Sequence, residues 1–309
     1  MKLRNLSQSP LNTTYLGVLR GVFDFYGIAI SDSVLFGASG HGFAINVHPE
    51  LCPSGPYCWN KEPVRRLLRN LGVQMEVIGF YSSERALEER HHVEGIVRMH
   101  IDSGHPCALL NLENQLILGY DEEAFEVAQP WPGVNFPPKS LTFGTWQELG
   151  EEIHIDFYSF TPTHPKALRT AVEESLCYAA AAWREGGRQV DDLYGFGPRA
   201  YEKWHVAIQS GFGATHGNWW NGTVWSECRR HLVGYFQEVA GQLAEPNLGE
   251  SLSSLYGVVA DSLAAVAEKD RPAEDQIKKL LVAKAAEEEA ISLIEGHLNR
   301  FRSSTAPIV

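Results

Sequence analysis

The chain has 309 residues, 44% of them hydrophobic, enough for one large domain or two ordinary ones with real cores. Lysine and arginine number 26 against 38 aspartate and glutamate, a net charge of −12, which lacks the basic footprint that nucleic acid or an anionic membrane requires. No stretch reaches the roughly 18 apolar residues of a membrane span, and MKLRNLSQSPLN has no hydrophobic region of signal-peptide length, so a soluble, cytoplasmic protein is expected.

The first element is a helix over Tyr15–Gly27. Leu16, Leu19, Val22, Phe23 and Tyr26 recur at three- and four-residue steps, Asn12, Thr13 and Thr14 supply N-cap chemistry, and Gly27 supplies the C-cap. Ser31-Asp32-Ser33 then caps a shorter turn, and Gly37, Gly40 and Gly42 allow a tight loop. A helix N-terminus open to a cleft lined by Gly37 to Gly42 is the expected centre of this half, because helix N-termini activate nucleophiles and bind anions. Residues 44–62 hold three prolines with Cys52 and Cys58 and read as an ordered loop. A helix follows from Glu62 to Asn70.

Strands are expected at VQMEVIGFY, PCALLNL, NQLILGYD, FEVAQPW and EEIHIDFYSF, with a helix opened by Ser82 or Ser83 between the first two. After Phe160 the chain turns helical. Five segments with three-to-four apolar spacing predict a bundle, in which Glu287-Glu288-Glu289 lies on a solvated face and SSTAPIV frays. The organisation predicted is an α+β domain over residues 1–160 and an all-α helical domain over 161–309.

Metal chemistry finds little support. Cys52, Cys58 and His48 are too few ligands for zinc, His91 and His92 point apart on a helix, and His205 and His216 lack close spacing. No metal or cofactor is expected. The five cysteines are odd in number and widely spaced, which suits reduced thiols.

LRGVFDFYGIAISDSVLFGASGHGF and GHPCALLNLENQLILGYDEEAFEVAQPW together resemble the papain-like (cysteine-protease-like) domain of the butirosin-biosynthesis H family. AYEKWHVAI and NWWNGTVWSECRRHLVGYFQEVA are similar to the helical domain often fused to it. The founding member is an acyltransferase that moves an acyl chain from a carrier protein to an aminoglycoside. The resemblance implies a His-Cys pair at the first helix N-terminus, a histidine base just before "GYD" and an aspartate before a proline. In this chain those positions fall on Thr13 and Thr14, on Glu113, Asn114 or Gln115, and near Gln129. No cysteine lies in residues 1–51. Nucleophile, base and orienting residue are therefore absent together.

Two residue sets remain as ligand-binding candidates. Asn12, Thr14, Gly40, Glu113, Gln115 and Gln129 bring amides and a carboxylate to the expected cleft, suited to a neutral or amphoteric ligand. Strand alternation puts Glu113 and Gln115 on one face with Thr14 and leaves Asn114 on the other. A partly desolvated Glu113 could exchange protons, or it could be an edge carboxylate in water. The second set is the loop HGNWWNG, with His216, Asn218, Trp219 and Trp220, which can line a pocket for a flat or cationic ligand or serve as core. Trp204 and Trp225 read as core anchors.

The function expected is that of a pseudoenzyme, a catalytically degenerate, acyltransferase-like protein binding a small molecule or an acyl or peptidyl intermediate in secondary metabolism. The alternative is an active acyltransferase or amide-bond hydrolase using a non-standard nucleophile such as Cys58, in GPYCWN, with His105 or His154 as a distant partner. Docking of a carrier protein is disfavoured by the acidic charge. The oligomeric state stays open, a homodimer being one form.

Overall fold

The computed structural model describes residues 1–82, 87–144, 154–186, 192–243, 245 and 247–305. The first half of the chain holds α1 (Thr14–Phe25), α2 (Asp32–Ala38), β1 (Asn46–Val47), α3 (Glu62–Leu68), β2 (Val73–Ser82), α4 (Leu87–Asp102), β3 (Cys107–Leu110) and β4 (Asn114–Tyr120). Then come β5 (Ala124–Val127), β6 (Ser140–Thr142), β7 (His154–Pro162), α5 (Leu168–Arg184), β8 (Gly195–Phe196) and α6 (Pro198–Gln209). The chain closes with α7 (His216–Glu238), α8 (Leu248–Val266) and α9 (Ala273–Thr305). Three expectations fall partly beyond the described residues: the N-cap at Ser83, the start of the strand EEIHIDFYSF, of which 151–153 lie outside, and the end of the terminal segment, of which α9 takes in positions as far as Thr305 while 306–309 lie outside.

The architecture is mixed α+β, in two compact units. One comprises Met1–Ile30 with Gly72–Pro165, the other Ser31–Leu71 with Lys166–Val309. The sequence pattern placed one boundary near residue 160; the chain also crosses between units at residues 30–31 and 71–72, so 31–71 belong with the helices.

In the first unit a six-stranded antiparallel sheet runs in the order β2-β7-β3-β4-β5-β6. Helix α1 lies on β4. Its stripe of Leu16, Leu19, Val22 and Phe23 is fully buried, the outcome that three-to-four apolar spacing favours because each side chain removes its surface from water. The N-terminal segment crosses α1 so closely that a Cβ at Gly21 would run into the Ser7 carbonyl, and Lys2 bridges to Gly119 on β4. From Asn114 to Ile117, β4 is buried at every residue.

The second unit is built around α7, which packs on α2 and α8, while α8 packs on α9. Trp204 and Trp225 are fully buried, and β1 and β8 form a short antiparallel pair. Three expectations are corrected here. The glycine-rich turn does not line a cleft: Gly37 lies within α2, where a Cβ would meet the Tyr235 ring, a Cβ on Gly40 would lie 2.6 Å from Tyr178 Cδ1, and one on Gly42 would lie 2.8 Å from Leu232 Cδ2. These glycines permit close packing. HGNWWNG is the start of α7 rather than a loop, with Thr215 as N-cap accepting the Asn218 N–H at 3.2 Å. Its glycines are again contact points, Gly217 against the Leu51 carbonyl and Gly222 against Ala267. Finally, Glu288 and Glu289 are exposed but Glu287 is buried, 2.5 Å from Arg229 Nη2.

Candidate functional site

Thr14 opens α1, and its side chain is 1% exposed. Thr13, the N-cap, makes no side-chain capping bond, so the helix end is tied down by the next residue instead. The Thr14 hydroxyl donates to Glu113 Oε2 at 2.7 Å. It accepts from the Asn114 backbone N–H at 3.3 Å and from Asn114 Nδ2 at 3.2 Å. A hydroxyl has one proton and two lone pairs, and all three are engaged within the protein. The N-terminal turn of α1 is thus closed onto the start of β4, not open as expected. The backbone of Asn12 joins it, its carbonyl accepting the Thr14 N–H at 2.9 Å.

The alternation argument is corrected at this point. Glu113 does face Thr14, but so does Asn114, whereas Gln115 turns to the loop that follows β5, donating to the carbonyls of Ala128 at 2.7 Å and Pro138 at 2.9 Å. Strict two-residue alternation holds within a strand; β4 begins only at Asn114, and Glu113 precedes it. Gln129 ties the same loop down by donating to the Pro137 carbonyl, and its Oε1 is buried with no hydrogen-bond partner among the described residues. Gln8 has a role that no pattern in the sequence marked. Its Nε2 donates to the Asn114 carbonyl at 2.8 Å and its Oε1 accepts from the Leu116 N–H at 2.9 Å. Gln8 thereby extends the edge of β4 with a side chain, 106 residues away in sequence.

Within this cluster a buried carboxylate and a hydroxyl stand at hydrogen-bond distance. A carboxylate is a weak base toward an alcohol, whose proton is held far more tightly than that of a thiol. The arrangement binds α1 to β4 and leaves the hydroxyl no free orbital for an incoming carbonyl.

The second candidate set divides cleanly. Asn218 is fully buried and saturated: Nδ2 donates to the carbonyls of Gly213 and Val266, each at 2.8 Å, while Oδ1 accepts from Trp204 Nε1 at 2.7 Å. It is a core strut, as is Trp220, which is buried and donates to the Tyr57 hydroxyl at 3.1 Å. His216 is exposed and Trp219 half-buried, their rings 5.1 Å apart, with Lys269 Nζ 5.4 Å from the Trp219 ring. Of the set, only this aromatic step faces solvent. Gly40, the remaining candidate, packs on Tyr178 and Leu67 as described.

Cys58 is exposed, and its thiol shares a hydrogen bond with Tyr194. Burial, followed by the neighbouring Cys58 and Cys52, pushes the Tyr194 hydroxyl up, while its bond to Ser54 pulls the other way. A phenol that keeps its proton is no base for a thiol. Elsewhere in this unit His41 Nδ1 lies 3.8 Å from Cys228 Sγ, both wholly buried. Burial, reinforced by Lys61 and Arg229, holds the His41 imidazole well below its ordinary value, so it is neutral.

No group of three or more His, Cys, Asp or Glu among the described residues is placed to hold a metal ion, and no described helix is long and apolar enough to cross a membrane. Compared with known proteins, the chain matches no protein-family model and no curated sequence.

Proposed function

We propose that this chain is a catalytically degenerate relative of the butirosin-biosynthesis H-type acyltransferases, with a papain-like first unit, and that it binds a small molecule or an acyl or peptidyl intermediate instead of turning it over. The observation that carries this reading is the saturated Thr14 hydroxyl. The position that the resemblance gives to a nucleophilic cysteine holds a threonine whose proton and lone pairs all go to Glu113 and Asn114. The positions for the base, Glu113, Asn114 or Gln115, and for its orienting partner, Gln129, hold no histidine and no aspartate, and their side chains are spent on the Thr14 hydroxyl or on backbone carbonyls. The helix on the central strand of an antiparallel sheet supports kinship with that scaffold; the side chains support loss of its chemistry. For ligand contact, Trp219 and His216 offer a solvent-facing aromatic step on which a flat or cationic group can stack.

The test uses an acyl thioester of N-acetylcysteamine and an aminoglycoside as probes. Expected are no acyl-protein adduct by intact mass, no thioester cleavage above the buffer rate, and saturable quenching of tryptophan emission by one of the two probes. Thioester turnover that vanishes in Cys58→Ala, with the fold intact by circular dichroism, would overturn the proposal in favour of an active enzyme.

A further inference from the structure

Cys52 and Cys58 bracket the turn PSGPY, and both are exposed. The backbone folds back between them: the Gly55 N–H donates to the Cys52 carbonyl at 3.2 Å and the Cys58 N–H to the Ser54 carbonyl at 3.0 Å. Two buried asparagines hold this turn from beneath. Asn221 Nδ2 donates to the Cys52 carbonyl at 3.2 Å, and Asn46 Nδ2 donates to the carbonyls of Gly55 at 2.7 Å and Cys58 at 3.0 Å. The ends of the turn therefore keep a fixed relation. Both thiols also converge on one hydroxyl. Tyr194 bonds Ser54 Oγ at 2.9 Å and the Cys58 thiol, and Cys52 is near enough to act on it electrostatically. The other cysteines differ: Cys107 and Cys228 are buried, and Cys177 is exposed on α5, 119 positions beyond Cys58 in sequence.

We propose that Cys52 and Cys58 are a redox-responsive dithiol, a modification site at which low-molecular-weight disulfides such as oxidised glutathione close the turn into an intramolecular disulfide. One of the two thiolates attacks a glutathione sulfur, forming a protein–glutathione disulfide and expelling glutathione thiolate. The other thiolate then attacks the protein-side sulfur, forming the Cys52–Cys58 bond and expelling the second glutathione. Two electrons pass from the two cysteines to the oxidised glutathione, and the two cysteine protons end on the two released glutathione molecules. Attack by a neighbour already held in place is favoured over attack by a second solution thiol, because no translational freedom is lost. The turn carries Tyr57, which accepts from Trp220 Nε1, and it leads into Trp59, whose ring lies 5.3 Å from that of His41. Closure is thereby coupled to two tryptophans that report on it.

The full chain is incubated with oxidised glutathione, alkylated with iodoacetamide, and mapped by peptide mass spectrometry. The expected product is a Cys52–Cys58 cross-linked peptide lacking two hydrogens, with glutathione retained only on Cys177. In Cys52→Ser the glutathione on Cys58 should be stable, because nothing resolves it, and the same should hold for Cys52 in Cys58→Ser. Wild-type protein that keeps glutathione on Cys52 or Cys58 without a cross-link, or that leaves both thiols alkylated by iodoacetamide, overturns the proposal.

Discussion

Two buried clusters of polar side chains, one in each unit, use burial in different ways. Around Thr14 the groups are a hydroxyl, an amide and one carboxylate, and the hydroxyl at their centre is saturated by the other two. In the helical unit the cluster is ionic. Arg229 on α7 pairs with Glu287 on α9 through Nε at 3.1 Å and Nη2 at 2.5 Å, Tyr201 on α6 also donates to Glu287, and Arg229 Nη1 donates to the Ala44 carbonyl. Nearby, the hydroxyls of Tyr178 and Tyr256 are buried with no hydrogen-bond partner among the described residues. Burial pushes both up, and Arg229 pulls each back. A cluster centred on a hydroxyl, which the other two groups satisfy, locks two elements together. An ion pair joins three helices at the cost of desolvation, and it becomes fragile when half of it is removed.

Of the two clusters, the larger effect should therefore come from splitting the ion pair. Glu287→Ala leaves a guanidinium uncompensated in the core, for which a loss of about 3–5 kcal/mol is expected by guanidinium chloride unfolding. The double change Arg229→Met with Glu287→Leu should be far milder than the single one, because both charges are then gone. Equal losses in the two variants would show that packing, not charge, holds this cluster.

The hydroxyl-centred cluster predicts a smaller loss. Thr14→Val keeps the shape but strips a donor from Glu113 and an acceptor from Asn114, worth about 1–3 kcal/mol for buried groups left unpaired. Thr14→Ser retains the hydroxyl and should stay near the wild type in the same unfolding measurement. If Thr14→Val is as stable as Thr14→Ser, the hydroxyl does not hold α1 on β4.

These residues also show what could be read from the chain. Helix α1 was legible because Leu16, Leu19, Val22 and Phe23 repeat at the helical period, a local property. That Glu113 faces Thr14 could be anticipated only through the resemblance, since the partners are 99 residues apart. Glu287 was misread because a carboxylate in an acidic run looks solvated, and its partner lies 58 residues away. Gly37, Gly40 and Gly42 were misread for a different reason. A glycine that frees the backbone and a glycine that admits a neighbour are the same letter, and only the packed chain distinguishes them.

His41 extends the contrast into pH. Its imidazole is held well below the ordinary 6.5, chiefly by burial and then by Lys61 and Arg229. Below that value the unfolded chain takes up a proton that the folded chain refuses, so stability falls as pH drops through 6.5. The slope approaches about 1.4 kcal/mol per pH unit for one such group. His231 and His100 are also lowered, chiefly by burial, and act with the same sign. Urea midpoints at neutral and mildly acidic pH should show the loss, and His41→Gln should flatten it. A midpoint for His41→Gln that keeps the full wild-type slope would place the dependence on the other two histidines.

The smallest effect on stability should come from Trp219, and it separates an aromatic surface from an aromatic core within a single helix. Trp225 is fully buried and donates to the Asn46 carbonyl at 3.1 Å, so Trp225→Ala should cost about 3–5 kcal/mol, as large aromatic deletions in cores do. Trp219, six residues earlier on α7, is half-buried between His216 and Lys269. It offers the fold a cation–π contact worth about 0.5–1 kcal/mol at an exposed site and a tilted contact with the Trp220 ring, centroids 5.6 Å apart. A side chain that contributes so little to stability leaves its ring face available to a ligand. Trp219→Ala should accordingly leave the unfolding midpoint almost in place while abolishing the saturable part of the tryptophan quenching by the acyl thioester or aminoglycoside probe. Trp219→Phe, which keeps a ring, should restore part of the binding. If Trp219→Ala costs as much stability as Trp225→Ala, the aromatic step belongs to the core, and ligand recognition must be sought elsewhere in the protein.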